Sequence, residues 1–171
     1  MSSIDVVIET PKGSAQKYDY DPSTHFFKLK KILPSGMMFP YDFGFIPGTR
    51  GEDGDPLDII VISEFNSFPG CLIPCRVIGG IKAEQSEEGG KNGKKKMIRN
   101  DRYIAIPKCS GIFQNIEKVS DLPDNITEEL ESFFSQYNKL EGKEFKPIKT
   151  LEPKEAMKMI TENKEKNYAG M

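Results

Sequence analysis

The sequence predicts a mainly β protein, a closed or nearly closed barrel with two helices packed outside it near the C-terminus, and three observations lead there. Short apolar or alternating runs, bounded by Gly, Pro and Asp, fill the first two thirds of the 171 residues. The apolar period changes to that of a helix only after YIAIP, residues 103–107. Strands first and helices last is the order of a barrel with outer helices, not of alternating βαβ units around a parallel sheet. The length suits one domain, taken as 1–171, with one substantial core.

Taken in order, Ile4 to Thr10 and Gln16 to Tyr20 read as short strands flanked by PKG and DP. Phe26 to Ile32 alternates, with Phe27, Leu29 and Lys31 on one side and Phe26, Lys28, Lys30 and Ile32 on the other, and LPSG ends it. The prolines and glycines of MMFPYDFGFIPG, residues 37–48, predict an ordered aromatic loop over one end of the core. IIVI at 59–62, CLIPCRVIGGI at 71–81 and YIAIP are further strands. Between the last two, EQSEEGGKNGKKKMIRND interrupts with glycines and blocks of charge, so Lys91 to Lys96 read as an exposed hairpin tip; with no aromatic residue interleaving the lysines to stack on a base, the tip is not a nucleic-acid site. In TEELESFFSQYNKL, Leu130, Phe133, Phe134, Tyr137 and Leu140 fall at helical spacing, and acidic residues suit its first turn. A second helix starts near Pro153, with Ala156, Met157 and Ile160 as its apolar stripe.

Charge narrows the partners. With 24 basic and 26 acidic residues, a formal net charge of -2, the chain has no general attraction for nucleic acid or anionic lipid, so a polyanionic substrate must be met by a few aimed cations or by metal ions. MSSIDVVIETPKG is not a basic segment followed by an apolar one, and no run approaches membrane-spanning length. Cys71, Cys75 and Cys109 are an odd number, with one CxxxC (CLIPC) and no second pair to complete a zinc set, which suits a reducing compartment; the expected location is the cytoplasm.

The chemistry centres on DGDPLD, Asp53 to Asp58, set immediately before the apolar IIVI. Buried carboxylates need cations to stay ionised. An EF-hand loop fails because Leu57 stands where an oxygen donor is needed, and a zinc site lacks ligands because His25 is the only histidine. Hard oxygens at 53, 55 and 58 suit Mg2+ or Mn2+; the plainer alternative is a turn whose aspartates bond their own backbone. Glu9, Lys17, Asp19 and Lys31 each read as a solvated charge when taken singly. Together with DGDPLD they are what phosphoryl chemistry asks for, cations over oxyanions and carboxylates under metal ions.

IETPKGSAQKYDYD, MMFPYDFGFIP, DGDPLDIIVI, RNDRYIAIP and FFSQYNKLE resemble, in that order, segments of the soluble family I inorganic pyrophosphatases, from about residue 6 to 150. DGDPLD matches the signature D(G/S/N)D(P/E)xD. The resemblance implies a five-stranded closed barrel of the oligonucleotide-binding type, a small homo-oligomer (commonly a hexamer in bacteria), and magnesium-dependent hydrolysis of inorganic diphosphate to two phosphates by direct attack of a metal-activated water. It implies metal ligation by Asp53, Asp55 and Asp58, with Asp55 also the base near the attacking water, and an acidic role for Glu9. Phosphate binding falls to Lys17, Lys31, Arg102 and Tyr137.

The chain departs from the pattern at several of these positions. Asp19 replaces a usual glutamate, Lys31 an arginine, Phe39 and Phe43 tyrosines, Arg102 and Asn138 lysines. Counting back from IAIP puts Asn100 on one further metal-site aspartate and Gln85 near the other, with Asp101 and Glu84 one residue away; a bulge in this hairpin is expected to turn Asp101 toward the metals. The alternatives are hydrolysis of another phosphoanhydride, or a catalytically silent barrel-type binding module gripping single-stranded nucleic acid on its second and third strands.

Overall fold

The structure, a computed structural model, describes residues 3–87 and 96–166. The expected hairpin tip lies outside the described residues except for Lys96. In chain order the elements are β1 (Ile4–Thr10), β2 (Gln16–Asp21), β3 (Phe26–Ile32), β4 (Asp42–Ile46), β5 (Leu57–Val61), β6 (Leu72–Glu87), β7 (Lys96–Arg99), β8 (Arg102–Pro107), α1 (Asp124–Leu140), β9 (Phe145–Leu151) and α2 (Pro153–Glu162). Among the described residues no helix is long and apolar enough to cross a membrane.

The expectation of a five-stranded closed barrel is corrected. β1, β4, β5, β8, β6 and β7 follow one another in a sheet of seven strands, with β9 also on β6, and β2 and β3 stand apart as a two-stranded sheet. The cause is the length of β6, 16 residues. One of its edges meets β8 and then β7, and the other meets β1 and then β9. β7 and β9 therefore carry the sheet beyond five strands and end it in edges that pair with nothing further among the described residues. The fold is mixed α/β, with the two C-terminal helices as expected.

Three strands were not anticipated, the first being β7, which falls in the charged interruption before YIAIP. β4 lies inside the stretch expected to be a loop, where DFGFI alternates buried and half-buried residues against β1 and β5. β9 forms from FKPIKTL despite its proline, because it is an edge strand and Pro147 sits where its register on β6 shifts.

Strand periodicity sorts the sheet residues into two cores. Leu57, Ile59 and Val61 of β5 and Tyr103 and Ala105 of β8 pack with Ala156 and Ile160 of α2. Ile60 and Ile62, with Ile104 and Ile106, pack with Leu130, Phe133 and Phe134 of α1. Both faces of β5 and β8 are thus covered, which is why IIVI and YIAI are apolar throughout rather than alternating. β5 and β8 are parallel and pair Asp58 with Arg102. β6 approaches β8 so closely that a Cβ on Gly80 would meet the Arg102 carbonyl oxygen at 2.7 Å, so a glycine is what lets the Arg102 backbone sit there.

Candidate active site

DGDPLD is a tight turn ahead of β5. The Gly51 amide donates to the Asp55 carbonyl at 2.8 Å, and Gly54 reverses the chain with a φ of 85°. Asp53 does bond its own turn, its Oδ1 accepting from the Asp55 amide at 3.0 Å. That role does not extend to Asp55, which is exposed, or to Asp58, which projects from β5 on the face opposite the buried Leu57.

The parallel register sets Asp58 beside Arg102, whose Nη1 donates to Asp58 Oδ2 at 2.6 Å. The same Nη1 donates to Asn100 Oδ1, and Nη2 reaches Gln85 Oε1 at 3.4 Å. Asn100 Nδ2 donates to that Gln85 oxygen at 3.1 Å. The guanidinium lies 5.3 Å over the Phe134 ring, and only 12% of the Arg102 side chain is exposed.

Asp101 faces away from this group. Its Oδ1 accepts from the Ala83 amide at 3.1 Å and from Arg99 Nε at 3.2 Å, while Oδ2 takes Arg99 Nη2 at 2.7 Å. The bulge that would turn it is missing: Ile81 pairs with Arg102 and Glu84 with Arg99, the same step along both strands. Asn100 and Arg102, two apart, share a side, and Asp101 takes the other.

On the near side of Asp58 is a cavity of about 90 Å³ whose lining includes Glu9, Lys17, Asp19, Arg102 and Tyr137. The Lys17 and Lys31 ammonium groups stand 5.2 and 4.9 Å from the Tyr137 ring centroid. Lys17 is 3.8 Å from Asp19, which also holds Lys30 at 2.8 Å. Phe39 and Phe43 meet edge to face at 4.9 Å and form an apolar wall. Asn138 is buried in its own helix, its amide donating to the Phe134 carbonyl at 2.8 Å, and offers nothing to this cavity. Past Asp58 is a larger cavity of about 320 Å³, toward the DGDPLD turn and α2, so Asp58 is a wall common to both.

Glu141 is a residue that sequence reasoning missed. Its Oε1 accepts from the Tyr137 hydroxyl at 2.8 Å and from Lys31 at 3.2 Å, tying α1 to β3. Its place one helical turn after Tyr137 was the available signal. Burial alone would raise its pKa, but Tyr137, Lys17 and Lys31 outweigh that and lower it. Burial and the Glu141 contact push the Tyr137 hydroxyl well above its ordinary range, so it remains a donor.

The carboxylates crowd one another. Asp58 is raised, first by the protein packed around it and then by Asp55 and Asp19, with Arg102 and Lys17 opposing. Asp53 is raised by partial desolvation and by Asp58 and Asp55. Glu9 is pushed up to about 7 by burial, against the Tyr20 amide that donates to it at 2.8 Å. Folded Glu9 thus holds its proton more tightly than unfolded Glu9 does. Its contribution to stability is full below pH 4.5 and is lost as pH rises through about 7. In EDTA the melting temperature should therefore fall across this window, and Glu9→Gln should flatten the fall; parallel profiles for the two proteins by circular dichroism would refute the assignment.

Among the described residues no three Asp, Glu, His or Cys side chains already converge on one point. The donor set nevertheless fits magnesium, which keeps several waters and takes one or two carboxylates together with substrate phosphates. The oxygens are hard, and their mutual repulsion is what a cation relieves.

The sequence profile of the family described as inorganic pyrophosphatase matches residues 6–168. The chain is 36% identical over 146 residues to the inorganic pyrophosphatase of Thermus thermophilus, covering 85% of this chain and 78% of that protein. It is 37% identical over 167 residues to that of Saccharolobus solfataricus, covering 94% and 91%. The crystal structure of the Thermus thermophilus enzyme superposes with a TM-score of 0.83 at 32% identity, covering 94% of this chain and 88% of that one. The inorganic pyrophosphatase of Helicobacter pylori gives 0.82 at 27% identity, covering 95% and 91%.

Proposed function

The chain belongs to the inorganic pyrophosphatase family, and from that premise we propose how its residues share the magnesium-dependent hydrolysis of inorganic diphosphate to two phosphates. Asp53, Asp55, Asp58 and Glu9 hold the magnesium ions, for which Mn2+ can substitute. Asp101 lines the larger cavity with Asp53 and Asp58, but its oxygens are taken up by Arg99 and the Ala83 amide, and we leave it out of this set. Magnesium held there would lower the pKa of a coordinated water and offset charge on the leaving phosphate. Asp55, exposed at the turn, takes the proton of the attacking water at a carboxylate oxygen. Lys17, Lys31, Arg102 and Tyr137 bind and orient the phosphate oxygens, and no covalent intermediate forms on the protein. The single observation that carries this reading is the position of Asp58, between the carboxylate turn and the cations around Tyr137.

The departures from the family pattern act on donors. Lys31 gives a point charge where a guanidinium would give a fork. Phe39 and Phe43 lack hydroxyls, each worth roughly 1 to 2 kcal/mol at a charged oxygen. The chemistry is retained with fewer hands on the phosphates.

The family match supports diphosphate as the substrate, with Lys17, Arg102 and Tyr137 lining one cavity and Asp53 and Asp58 the adjoining one. Phosphate release from diphosphate, triphosphate and ATP with magnesium tests this. Diphosphate should be cleaved at least about tenfold faster than the others; a preference for ATP, or no cleavage of any, would overturn the substrate assignment.

We also read residues 1–171 as one domain, supported by the span of the family match, and the protein as a cytoplasmic homo-oligomer, a hexamer. Exposed Phe26, Ile32, Phe68 and Ile112 offer apolar surface for assembly, and light scattering measures its size.

A further inference from the structure

The wall formed by β6, β7 and β8 carries a charge arrangement unlike that of the DGDPLD turn. Three oxygens from three parts of the chain converge on one guanidinium: Asp58 Oδ2 at 2.6 Å, Asn100 Oδ1, and Gln85 Oε1 at 3.4 Å. Only one of the three belongs to a carboxylate. The amide orientations are interlocked, since the Gln85 oxygen accepts from Asn100 as well as from Arg102. The Phe134 ring lies 5.3 Å beneath the guanidinium, and the close approach of Gly80 fixes the Arg102 backbone. Asp101, 11% exposed, is held instead by Arg99 and the Ala83 amide.

We propose that Arg102 is a resident cation that takes the place of a divalent metal on this wall, so that Gln85 and Asn100 are the cradle of a guanidinium and bind no magnesium. The reasoning is electrostatic. A guanidinium cannot shed its charge, so a metal coming to Asn100 and Gln85 would face a fixed positive charge already in contact with the same oxygens. Two amides supply no compensating negative charge, and among the described residues Asp58 is the one carboxylate hydrogen-bonded to Arg102. The unused N–H groups of the fork remain available to a phosphate oxygen, so charge can be neutralised here without an ion being recruited. The inference deepens the hydrolase reading and rests on it for the role of Arg102 toward phosphate. The metal count it specifies can be measured without substrate.

Equilibrium dialysis of metal-free protein against Mn2+, with no diphosphate present, gives the number of ions bound per chain. Asn100→Asp alone should leave that number as in the wild type, because Arg102 pairs with the new carboxylate. Asn100→Asp combined with Arg102→Gln should bind one more ion per chain, and Asp101→Asn should bind as many as the wild type. An extra ion in Asn100→Asp alone would overturn the proposal, because Arg102 would then not be blocking the wall. A lost ion in Asp101→Asn would overturn it too, since the wall would already hold a metal. If the double variant does not fold, the two single variants still decide. Failure to hydrolyse diphosphate would count against the substrate assignment and would leave these counts unchanged.

Discussion

Phosphate release from diphosphate falls to background when the protein is stripped with EDTA, and returns when Mg2+ is restored. The expected loss is at least about a thousandfold, because water at its ordinary pKa near 15.7 is a poor nucleophile and the protein holds no substitute for one activated by a metal. Among the described residues, His25 is exposed on a turn and the cysteines are not gathered with other ligands, so carboxylates carry the task. On the proposed roles of Arg102, Lys17 and Lys31, diphosphate should still associate weakly without metal. Binding without turnover, measured by calorimetry in EDTA, separates the two contributions. Full activity in demonstrably metal-free protein would end the metal assignment.

Asp58→Asn should lower turnover at saturating magnesium by at least about a hundredfold. The substitution keeps an oxygen and the shape of the side chain but removes the charge shared by the carboxylate turn and Arg102. Because 41% of the Asp58 side chain is exposed, the loss of its ion pair costs little stability, and Arg102 keeps Asn100 and Gln85 as partners. A fall in rate with a nearly unchanged melting temperature is therefore the expected signature. Lys158→Ala, at a 77% exposed position on α2, is the control and should stay within a few fold. Equal losses from the two substitutions would remove Asp58 from the chemistry.

The parts of the fold visible in the sequence were those fixed by local pattern. IIVI and YIAI declared buried strands because both faces are covered. The Tyr137 helix declared itself by period, and Pro153 marked the start of α2. β4 was hidden because two prolines and a glycine flank and interrupt an alternation of only five residues, and it is stable only between β1 and β5. β9 was hidden by its lysines and Pro147, which an edge strand tolerates. The extent of the sheet depends on where β6 ends, and nothing local in KAEQSE marks that point.

The site divided in the same way. DGDPLD stood out as a dense acidic motif. Whether Asn100 or Asp101 faced it depended on one residue of register across a hairpin with a long connection, which only the pairing of β6 with β7 and β8 resolves. Glu141 went unnoticed because a glutamate at a helix end ordinarily belongs to solvent, and its contact with Lys31 joins positions 110 residues apart.

The pairing of Asp58 with Arg102 makes catalysis a reporter of correct refolding. The two residues lie on strands separated in sequence by the whole of β6, and they meet only if β5 and β8 settle in one alignment. A slip by a single residue would present Leu57 or Ile59 to the guanidinium and bury a carboxylate among isoleucines. Chain that recovers its helices from denaturant with that slip would regain much of its circular dichroism but none of its turnover. The interval between the two recoveries, followed in time after dilution, measures how long the parallel strands take to find their alignment.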